Sequence, residues 1–220
     1  MSDSKTVQRG TEAEIRHRDK VWQEFVAERG RRYANCRFTN WEADAGSSKA
    51  AAVDTVRAYV DQHPETVKAG KGLVLLGACG TGKDHLMVAA VFHLIAKLYF
   101  GTDGRVCWTS GARIFNQLHD AMKRSTPSSD LLGPMRMASL LVISDPCESG
   151  QELTKWEQST MLELIDSRYN NLRPTWVTIN CNGKQQLEQM LGAAIVDRLV
   201  DGATIIGCNW PSHRKPGFTA

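Results

Sequence analysis

The chain has 220 residues and a formal net charge of +3, with 42% hydrophobic and 23% charged residues. This size and composition are those of one globular domain with a short appendage, and so weak a positive charge does not by itself indicate a nucleic-acid partner. No apolar run approaches the ~20 residues that span a bilayer, and the six scattered cysteines form no C-x-x-C pair, so we expect a cytoplasmic protein with no membrane contact and no zinc site.

The predicted elements begin with a helical arm. Residues 11–32 carry a narrow apolar stripe on an otherwise charged sequence, which predicts an amphipathic helix. We therefore divide the chain into an arm over residues 1–32, a main domain over residues 33–214 and a tail over residues 215–220. Because the arm is short for a folded domain, we expect it to dock in a groove of a partner or to pack on the main domain.

Beyond residue 72, short apolar runs alternate with helical stretches. Strands are predicted over residues 72–76, 105–109, 139–144, 175–179 and 203–207. Helices are predicted over residues 49–62, 82–99, 112–124, 155–170, 184–191 and 193–200. Near-continuous apolar strands joined by helical crossovers predict a three-layer α/β fold with a five-stranded parallel sheet. Turn-forming residues at 126–129 and 211–220 predict irregular, mobile segments.

The turn between the first strand and the following helix has the pattern G-x-x-x-x-G-K. Its residues are Gly77, Ala78, Cys79, Gly80, Thr81, Gly82 and Lys83. Glycines let such a turn curl so that successive backbone N–H groups point at phosphate oxygens, and the lysine reaches the outer phosphates. The pattern therefore predicts a nucleotide-binding phosphate loop. The next position normally holds a Ser or Thr that binds Mg²⁺, but here it is Asp84.

A complementary departure lies at the end of the third strand, in Leu140–Asp145. Such a strand normally ends in an Asp directed at Mg²⁺. After four apolar residues that position holds Ser144, and Asp145 falls where a carboxylate would polarise the attacking water. We hypothesise that Asp84 and Ser144 have exchanged roles and share Mg²⁺. The alternatives are a loss of efficient hydrolysis, and a register in which Asp145 itself is directed at the metal.

Residues 33–214, which contain these motifs, resemble the DnaC/IstB-like branch of the AAA+ ATPases, which comprises bacterial and phage helicase loaders and transposition helpers. The resemblance is carried by Arg37–Trp41, Gly72–Gly77, Gly80–Leu86 apart from Asp84, Pro174–Asn180, Asp197–Leu199 and Ser212–Arg214. It implies ATP as the bound nucleotide, with Mg²⁺, and a P-loop sheet in the order 5-1-4-3-2. Only a short tail follows the last predicted strand, so we expect no C-terminal lid domain.

The resemblance also assigns roles to polar residues. Asn180, at a strand end, would orient the attacking water; the alternative is a simple Asn turn. Arg198 would act as a finger in the site of a neighbouring subunit, which implies a homo-oligomer; the alternative is a surface salt bridge. Together with Asp145, these two residues form the predicted catalytic set. Arg214 would contact phosphate or DNA.

Single-stranded DNA is a further ligand that the resemblance implies. In the family, the region after the second strand contributes to DNA contact at the inner face of the oligomer. Here that region offers Arg113, Lys123 and Arg124, with Phe115 for base stacking. The alternative is a solvated helix face with Phe115 in the core.

The resemblance implies an ATPase that loads a replicative hexameric helicase in bacterial or phage DNA replication. The alternatives are an IstB-like transposition helper and a nucleotide-dependent binding module with weak hydrolysis. The backbone near Phe38–Trp41 is the predicted contact for the adenine base.

Overall fold

The computed structural model of the protein describes residues 11–62, 66, 69–97 and 105–214. Its centre is a parallel sheet whose strands are β1 (Leu73–Gly77), β2 (Val106–Ser110), β3 (Leu140–Ser144), β4 (Thr175–Ile179) and β5 (Thr204–Cys208). Their spatial order is β2-β3-β4-β1-β5, so the predicted order 5-1-4-3-2 is confirmed. Because all the strands are parallel, the carboxyl ends of β1, β3 and β4 meet at one edge, where sheets of this kind bind ligands.

Helices connect and cover the strands. Within the described ranges they are α1 (Glu12–Arg29), α2 (Ser48–Asp61), α3 (Lys83–Ala96), α4 (Gly111–Lys123), α5 (Ser128–Met137), α6 (Lys155–Asn170), α7 (Lys184–Leu191) and α8 (Ala193–Val200). The last residues of the helix predicted over 82–99 lie outside the described ranges. None of the helices described is long and apolar enough to cross a bilayer.

Three strands end one residue later than the sequence predicts. The ladder between β1 and β5 continues through the pair Gly77–Cys208, and the ladder between β2 and β3 continues through Ser110–Ser144. Apolar patterning marks the buried part of a strand, whereas backbone pairing extends into the small polar residues that begin the next turn. The phosphate loop therefore starts from a residue that is still held in the sheet.

Helix α5 is a feature that the sequence predictions miss, since they make residues 126–129 an irregular segment. Pro127 precedes this helix and Pro134 lies inside it, and a proline inside a helix costs ~3 kcal/mol. Leu132 and Met135 are only 2% and 8% exposed, and burying two such side chains offsets the cost. The prediction is wrong from Ser128 onward because tertiary packing outweighs local propensity.

Two apolar cores cover the sheet, one on each face. Along β1, Val74 and Leu76 point into the core formed with α4 to α8. Leu73 and Leu75 point into the core formed with α1, α2 and α3. All five residues of β1 are buried, as a strand covered on both faces requires. The predicted three-layer α/β architecture is therefore confirmed.

Helix α1 packs on the second of these cores. Phe25 is 5% exposed and meets the Trp108 ring edge-on at 5.6 Å, while Trp22 meets Phe92 at 4.9 Å. The arm thus buries its apolar stripe on the main domain, as the second sequence alternative has it. A partner would have to use the outer, polar face of α1. Residues 1–10 of the arm and the tail 215–220 lie outside the described ranges.

Candidate functional site

The phosphate loop lies between the end of β1 and the start of α3. Two of its glycines have backbone conformations that disfavour side chains, with φ of +81° at Gly80 and +92° at Gly82. A Cβ atom would lie 2.0 Å from Ser212 Oγ at the first position and 2.8 Å from the Trp41 ring at the second. The loop therefore needs glycine both for its curl and for the close approach of two other segments.

Lys83 points back across the loop. It is 6% exposed, and its Nζ donates to the backbone oxygens of Gly77 and Ala78 and to Oδ1 of Asn180, each at 2.8 Å. These three acceptors are neutral, so the ammonium charge stays available to an anion. A buried cation held by neutral oxygens at the start of a helix suits a phosphate group.

Asn180 links Lys83 to Asp145 by donating from Nδ2 to Asp145 Oδ1 at 2.7 Å. Burial raises the pKa of Asp145, and the charge of Asp84 raises it further. Asp145 also has a φ of +48°, a conformation that non-glycine residues adopt at a cost and often at functional sites. We call Lys83, Asn180 and Asp145 the core cluster. It brings three predicted site residues together at the carboxyl edge of the sheet.

Asp84 lies in a second cluster, beside the first. Its Oδ1 accepts from the Thr178 hydroxyl at 2.8 Å. Its Oδ2 accepts from the Arg29 guanidinium and from the Tyr33 hydroxyl, the latter at 3.4 Å. We call Arg29, Tyr33, Asp84 and Thr178 the arm cluster, because Arg29 is the last residue of α1.

Three members of the arm cluster were not among the predicted site residues. Arg29 ends a run of charged residues on an amphipathic helix, where a basic side chain is already explained by the helix dipole. Its partner Asp84 lies 55 positions later in the chain, so local spacing gives no signal for the contact. Thr178 does carry a signal, because it is a polar residue next to the last position of a fully buried strand that leads to Asn180.

The Ser144 hydroxyl is engaged on the same side of the sheet as Asp84. Its Oγ accepts from Trp108 Nε1 at 3.2 Å and donates to the Thr109 carbonyl at 3.4 Å. Ser144 also pairs with Thr178 in the ladder between β3 and β4, so the two hydroxyl groups are neighbours. The exchange of metal-binding roles between residues 84 and 144 stays a prediction, and a metal contact from Ser144 would have to use the Oγ lone pair that the indole N–H leaves free.

A cavity of about 490 Å³ opens beside the two clusters, a volume within the range of small-molecule sites. Cys79, Lys83, Asp84 and Asp145 are part of its lining. Part of its wall is aromatic, since Trp41 lines it and meets the rings of His85 and His213 at 5.4 and 6.2 Å. Of residues 38–41, the predicted base contact, Asn40 and Trp41 line the cavity.

The segment after β5, predicted to be loose, packs over the loop. Trp210 Nε1 donates to the Thr81 carbonyl at 2.7 Å, and the His213 N–H donates to the Gly80 carbonyl at 2.9 Å. Arg214 lines the cavity as a result. Residues 211–214 are irregular, as predicted, and the His213 N–H ties this stretch to the phosphate loop; their mobility stays a prediction.

The predicted finger lies apart from the cavity lining. Arg198 donates from Nε to Asp166 Oδ1 of α6 at 2.6 Å and approaches Asp197 at 3.5 Å. Within one chain it therefore forms a surface ion pair, as the alternative proposed. Exposed ion pairs stabilise a fold only weakly, so a second subunit could take up this side chain at little cost.

Of the residues predicted to bind DNA, Arg214 lines the cavity beside the loop, whereas Arg113, Lys123 and Arg124 are not part of its lining. Arg113 pairs with Glu28 at 3.6 Å, and Lys123 and Arg124 both lie beside Asp120. Phe115 is 5% exposed and belongs to the core under α4, so the prediction that it stacks on bases is wrong. Its spacing along α4 follows the apolar stripe of an amphipathic helix rather than an exposed platform.

Comparisons with known proteins agree with this architecture. Residues 52–217 match the family model described as "IstB-like ATP binding protein". The replicative helicase loader DnaC of Escherichia coli (strain K12) is 27% identical over 186 residues, which cover 83% of this chain and 71% of that protein. The phage-like element PBSX protein XkdC of Bacillus subtilis (strain 168) is 25% identical over 161 residues, covering 70% of this chain and 58% of that protein.

A crystal structure of the DnaC helicase loader superimposes with a TM-score of 0.66 at 23% identity, covering 81% of this chain and 99% of that one. This likeness shows the AAA+ type of P-loop fold. The family match covers about three quarters of the sequence and includes every residue of the two clusters except Arg29 and Tyr33. The chain therefore belongs to the family of IstB-like ATP-binding proteins.

Proposed function

We propose that this protein is an ATPase that loads a hexameric replicative helicase onto single-stranded DNA. The observation that carries the proposal is the core cluster: a phosphate loop whose buried lysine is joined through Asn180 to Asp145, at the edge of a cavity large enough for a nucleotide. The similarity to helicase loaders over most of the chain supports the choice of client. The proposed compartment is the cytoplasm.

The triphosphate lies along the loop in this proposal. The backbone N–H groups of residues 77–83 and the first turn of α3 bind the phosphates. Lys83 exchanges its hydrogen bonds with the loop carbonyls for the outer phosphate oxygens, which gives a buried cation a charged partner. The base lies toward Trp41, whose ring lines the cavity together with His85 and His213.

Mg²⁺ would be held jointly by protein and phosphates. In the described part of the chain, no cluster of three or more His, Cys, Asp or Glu side chains could hold a metal by itself. Mg²⁺ in nucleotide sites uses only one or two carboxylates, so this donor set fits. The proposed ligands are Asp84, which lines the cavity, and Ser144. When bound, the ion offsets phosphate charge during transfer.

Hydrolysis requires a water aligned with the outer phosphate. Asp145, at the end of β3, polarises this water, and Asn180 fixes its orientation and that of Lys83. The raised pKa of Asp145 is in the direction that suits a general base. Arg198 of a second copy completes the site after leaving Asp166, so turnover depends on homo-oligomer formation.

Single-stranded DNA is proposed to bind through phosphate contacts from Arg113, Lys123 and Arg124 on the exposed side of α4, and from Arg214 at the cavity mouth. These contacts would add a salt-dependent, sequence-independent affinity. The polar outer face of α1 is the proposed helicase-binding surface, since its apolar face is buried on the chain's own core.

Two other functions remain in view because specific observations favour them. The family description favours a transposition helper of the IstB type. The engaged hydroxyl of Ser144 favours a nucleotide-dependent binding module with weak hydrolysis. Co-sedimentation with a purified hexameric helicase or with a transposase distinguishes the first two functions. Sustained ATP turnover stimulated by single-stranded DNA would exclude the third.

The decisive experiment compares Mg-ATP binding by the wild type, Lys83→Ala and Lys184→Ala. Lys184 is an exposed lysine at the start of α7 and serves as a charge-matched control. We expect Lys83→Ala to weaken binding at least ~100-fold, because a buried charge-assisted contact is lost, and the control to bind like the wild type. ATP-dependent co-sedimentation with the helicase should follow the same order. Equal binding by Lys83→Ala and the wild type would refute the proposal.

A further inference from the structure

We infer that Arg29 is a positioning residue of the nucleotide site: it neutralises Asp84, so that the phosphate loop accepts a nucleotide even without Mg²⁺. This inference rests on the proposed function, because it concerns the same loop. Its occupant is the triphosphate already proposed. What it adds is a role for the helical arm in determining how strongly nucleotide binding depends on metal.

The guanidinium of Arg29 occupies a built position rather than a flexible one. It contacts the Asp84 carboxylate and lies over the Tyr33 ring at 4.0 Å and the Trp108 ring at 4.6 Å. Its side chain is 17% exposed. Aromatic rings stabilise a cation that is largely removed from water, so these contacts hold the charge of Arg29 against Asp84.

A cation is needed there because of where Asp84 lies. It directly follows Lys83 and lines the same cavity, so an uncompensated carboxylate would repel phosphates bound to the loop. Its field already reaches the other side of the site, since the charge of Asp84 contributes to the raised pKa of Asp145. A loop with Ser or Thr at this position has no such charge to neutralise.

The contact between Arg29 and Asp84 links metal binding at the site to the docking of the helical arm. Mg²⁺ and Arg29 are alternative cations for Asp84 Oδ2, because both need the lone pairs of that oxygen. Arg29 can serve only while α1 is docked through Phe25 and Trp22. Metal-free binding should therefore depend on the arm, whereas binding with Mg²⁺ should depend on it much less.

The test measures the dissociation constant of a fluorescent ATP analogue in EDTA and in excess Mg²⁺. Arg29→Gln should weaken binding about tenfold in EDTA and by a smaller factor in Mg²⁺. Asp84→Ser should tighten binding in EDTA, because Arg29 then carries an uncompensated charge beside the phosphates. The double variant should return to near the wild-type constant in EDTA. Arg18→Gln, on the same helix and paired with Asp19, is the charge-matched control.

The outcomes separate this inference from the proposed function. If the wild type binds but Lys83→Ala does not, and Arg29→Gln matches the wild type in EDTA, the role of Arg29 is wrong while the nucleotide site stands. If the wild type binds no nucleotide under either condition, both fall. An equal loss with and without Mg²⁺, or a loss that persists alongside Asp84→Ser, also overturns the inference, because it would be structural.

Arg29→Lys keeps the charge and should recover most of the metal-free binding; binding as weak as that of Arg29→Gln would count against the inference. Circular dichroism and thermal unfolding establish that each variant is folded. If Arg29→Gln does not fold, Asp84→Ser alone decides. Tighter metal-free binding than wild type supports the inference, and unchanged binding overturns it.

Discussion

Two polar clusters flank the phosphate loop, and they are built from different parts of the chain. The core cluster comes from the loop and from the ends of β3 and β4, which the sheet itself brings together. The arm cluster joins Asp84 and Thr178 to residues of α1 and the turn that follows it. The first needs only the sheet, whereas the second also needs a helix to dock.

This difference assigns the chemistry of the site to the core cluster and the control of the site to the arm cluster. A cluster fixed by parallel strands keeps its geometry as long as the sheet is folded. A cluster that includes a terminal helix exists only while that helix is docked, and a partner that binds α1 can change it. The comparison predicts that substitutions in the core cluster alter ATP turnover. Substitutions of the residues that anchor α1 should instead alter how the arm affects the nucleotide site.

The largest expected effect comes from Phe25→Ala, which removes the buried anchor of α1. Truncating a buried Phe costs ~3–5 kcal/mol, and here we expect the loss to appear as release of the arm while the sheet stays folded. Limited trypsin digestion under native conditions should cut within α1 much faster than in the wild type. Ile15→Ala, on the same helix but only half-buried, should change the rate little. Loss of the whole fold in Phe25→Ala would show that arm and core are one unit.

Asn180→Ala tests the core cluster. It removes the link between Lys83 and Asp145, and we expect ATP turnover to fall ~100-fold, the scale of one lost positioned hydrogen-bonding group. Nucleotide affinity should change far less, because Lys83 and the loop remain. Asn182→Ala alters an exposed amide in the same turn and should behave as wild type in steady-state assays. If both variants lose turnover equally, Asn180 belongs to a structural turn and not to the site.

The sequence predicts the core cluster because its determinants are local. Seven consecutive residues define the phosphate loop, and each remaining member follows a buried apolar strand directly or within one position. Parallel strands then place those ends together without further information. The same reasoning predicts the strand order only by way of the family resemblance, since apolar runs do not specify which strands are neighbours.

The arm cluster cannot be predicted in this way. The contact between Arg29 and Asp84 depends on how α1 crosses the sheet, and the contact between Trp108 and Ser144 depends on the rotamers of neighbouring strands. Helix α5 illustrates a related limit, because the two prolines are local signals and the burial of Leu132 is not. What escapes prediction is what packing between distant segments decides.

The smallest expected effect is on how the free energy of unfolding depends on pH. It contrasts the carboxyl group of Asp145 in the core cluster with that of Glu14 in α1. Burial, reinforced by Asp84, raises the pKa of Asp145, whereas hydrogen bonds from Thr11 lower the pKa of Glu14 in α1. Between the ordinary carboxyl pKa and its raised native value, Asp145 holds a proton in the folded protein that the unfolded chain has released. The free energy of unfolding therefore falls as pH rises through this window. Glu14 has the opposite sign, since its contribution is lost as pH falls.

Urea unfolding from about pH 2 to about pH 8 measures both contributions, because the window of Glu14 lies below the ordinary carboxyl pKa and that of Asp145 above it. The stability of Asp145→Asn relative to wild type should increase as pH rises through the window and then stay constant, because the variant carries no charge to bury. Glu14→Gln should instead lose stability relative to wild type as pH rises, because wild-type Glu14 gains its hydrogen bonds with the Thr11 cap only when ionised. Adding Asp84→Ser should reduce the Asp145 effect and leave the Glu14 effect unchanged. If the stabilities of the two variants relative to wild type changed in the same direction as pH rises, the predicted contrast between Asp145 and Glu14 would be wrong.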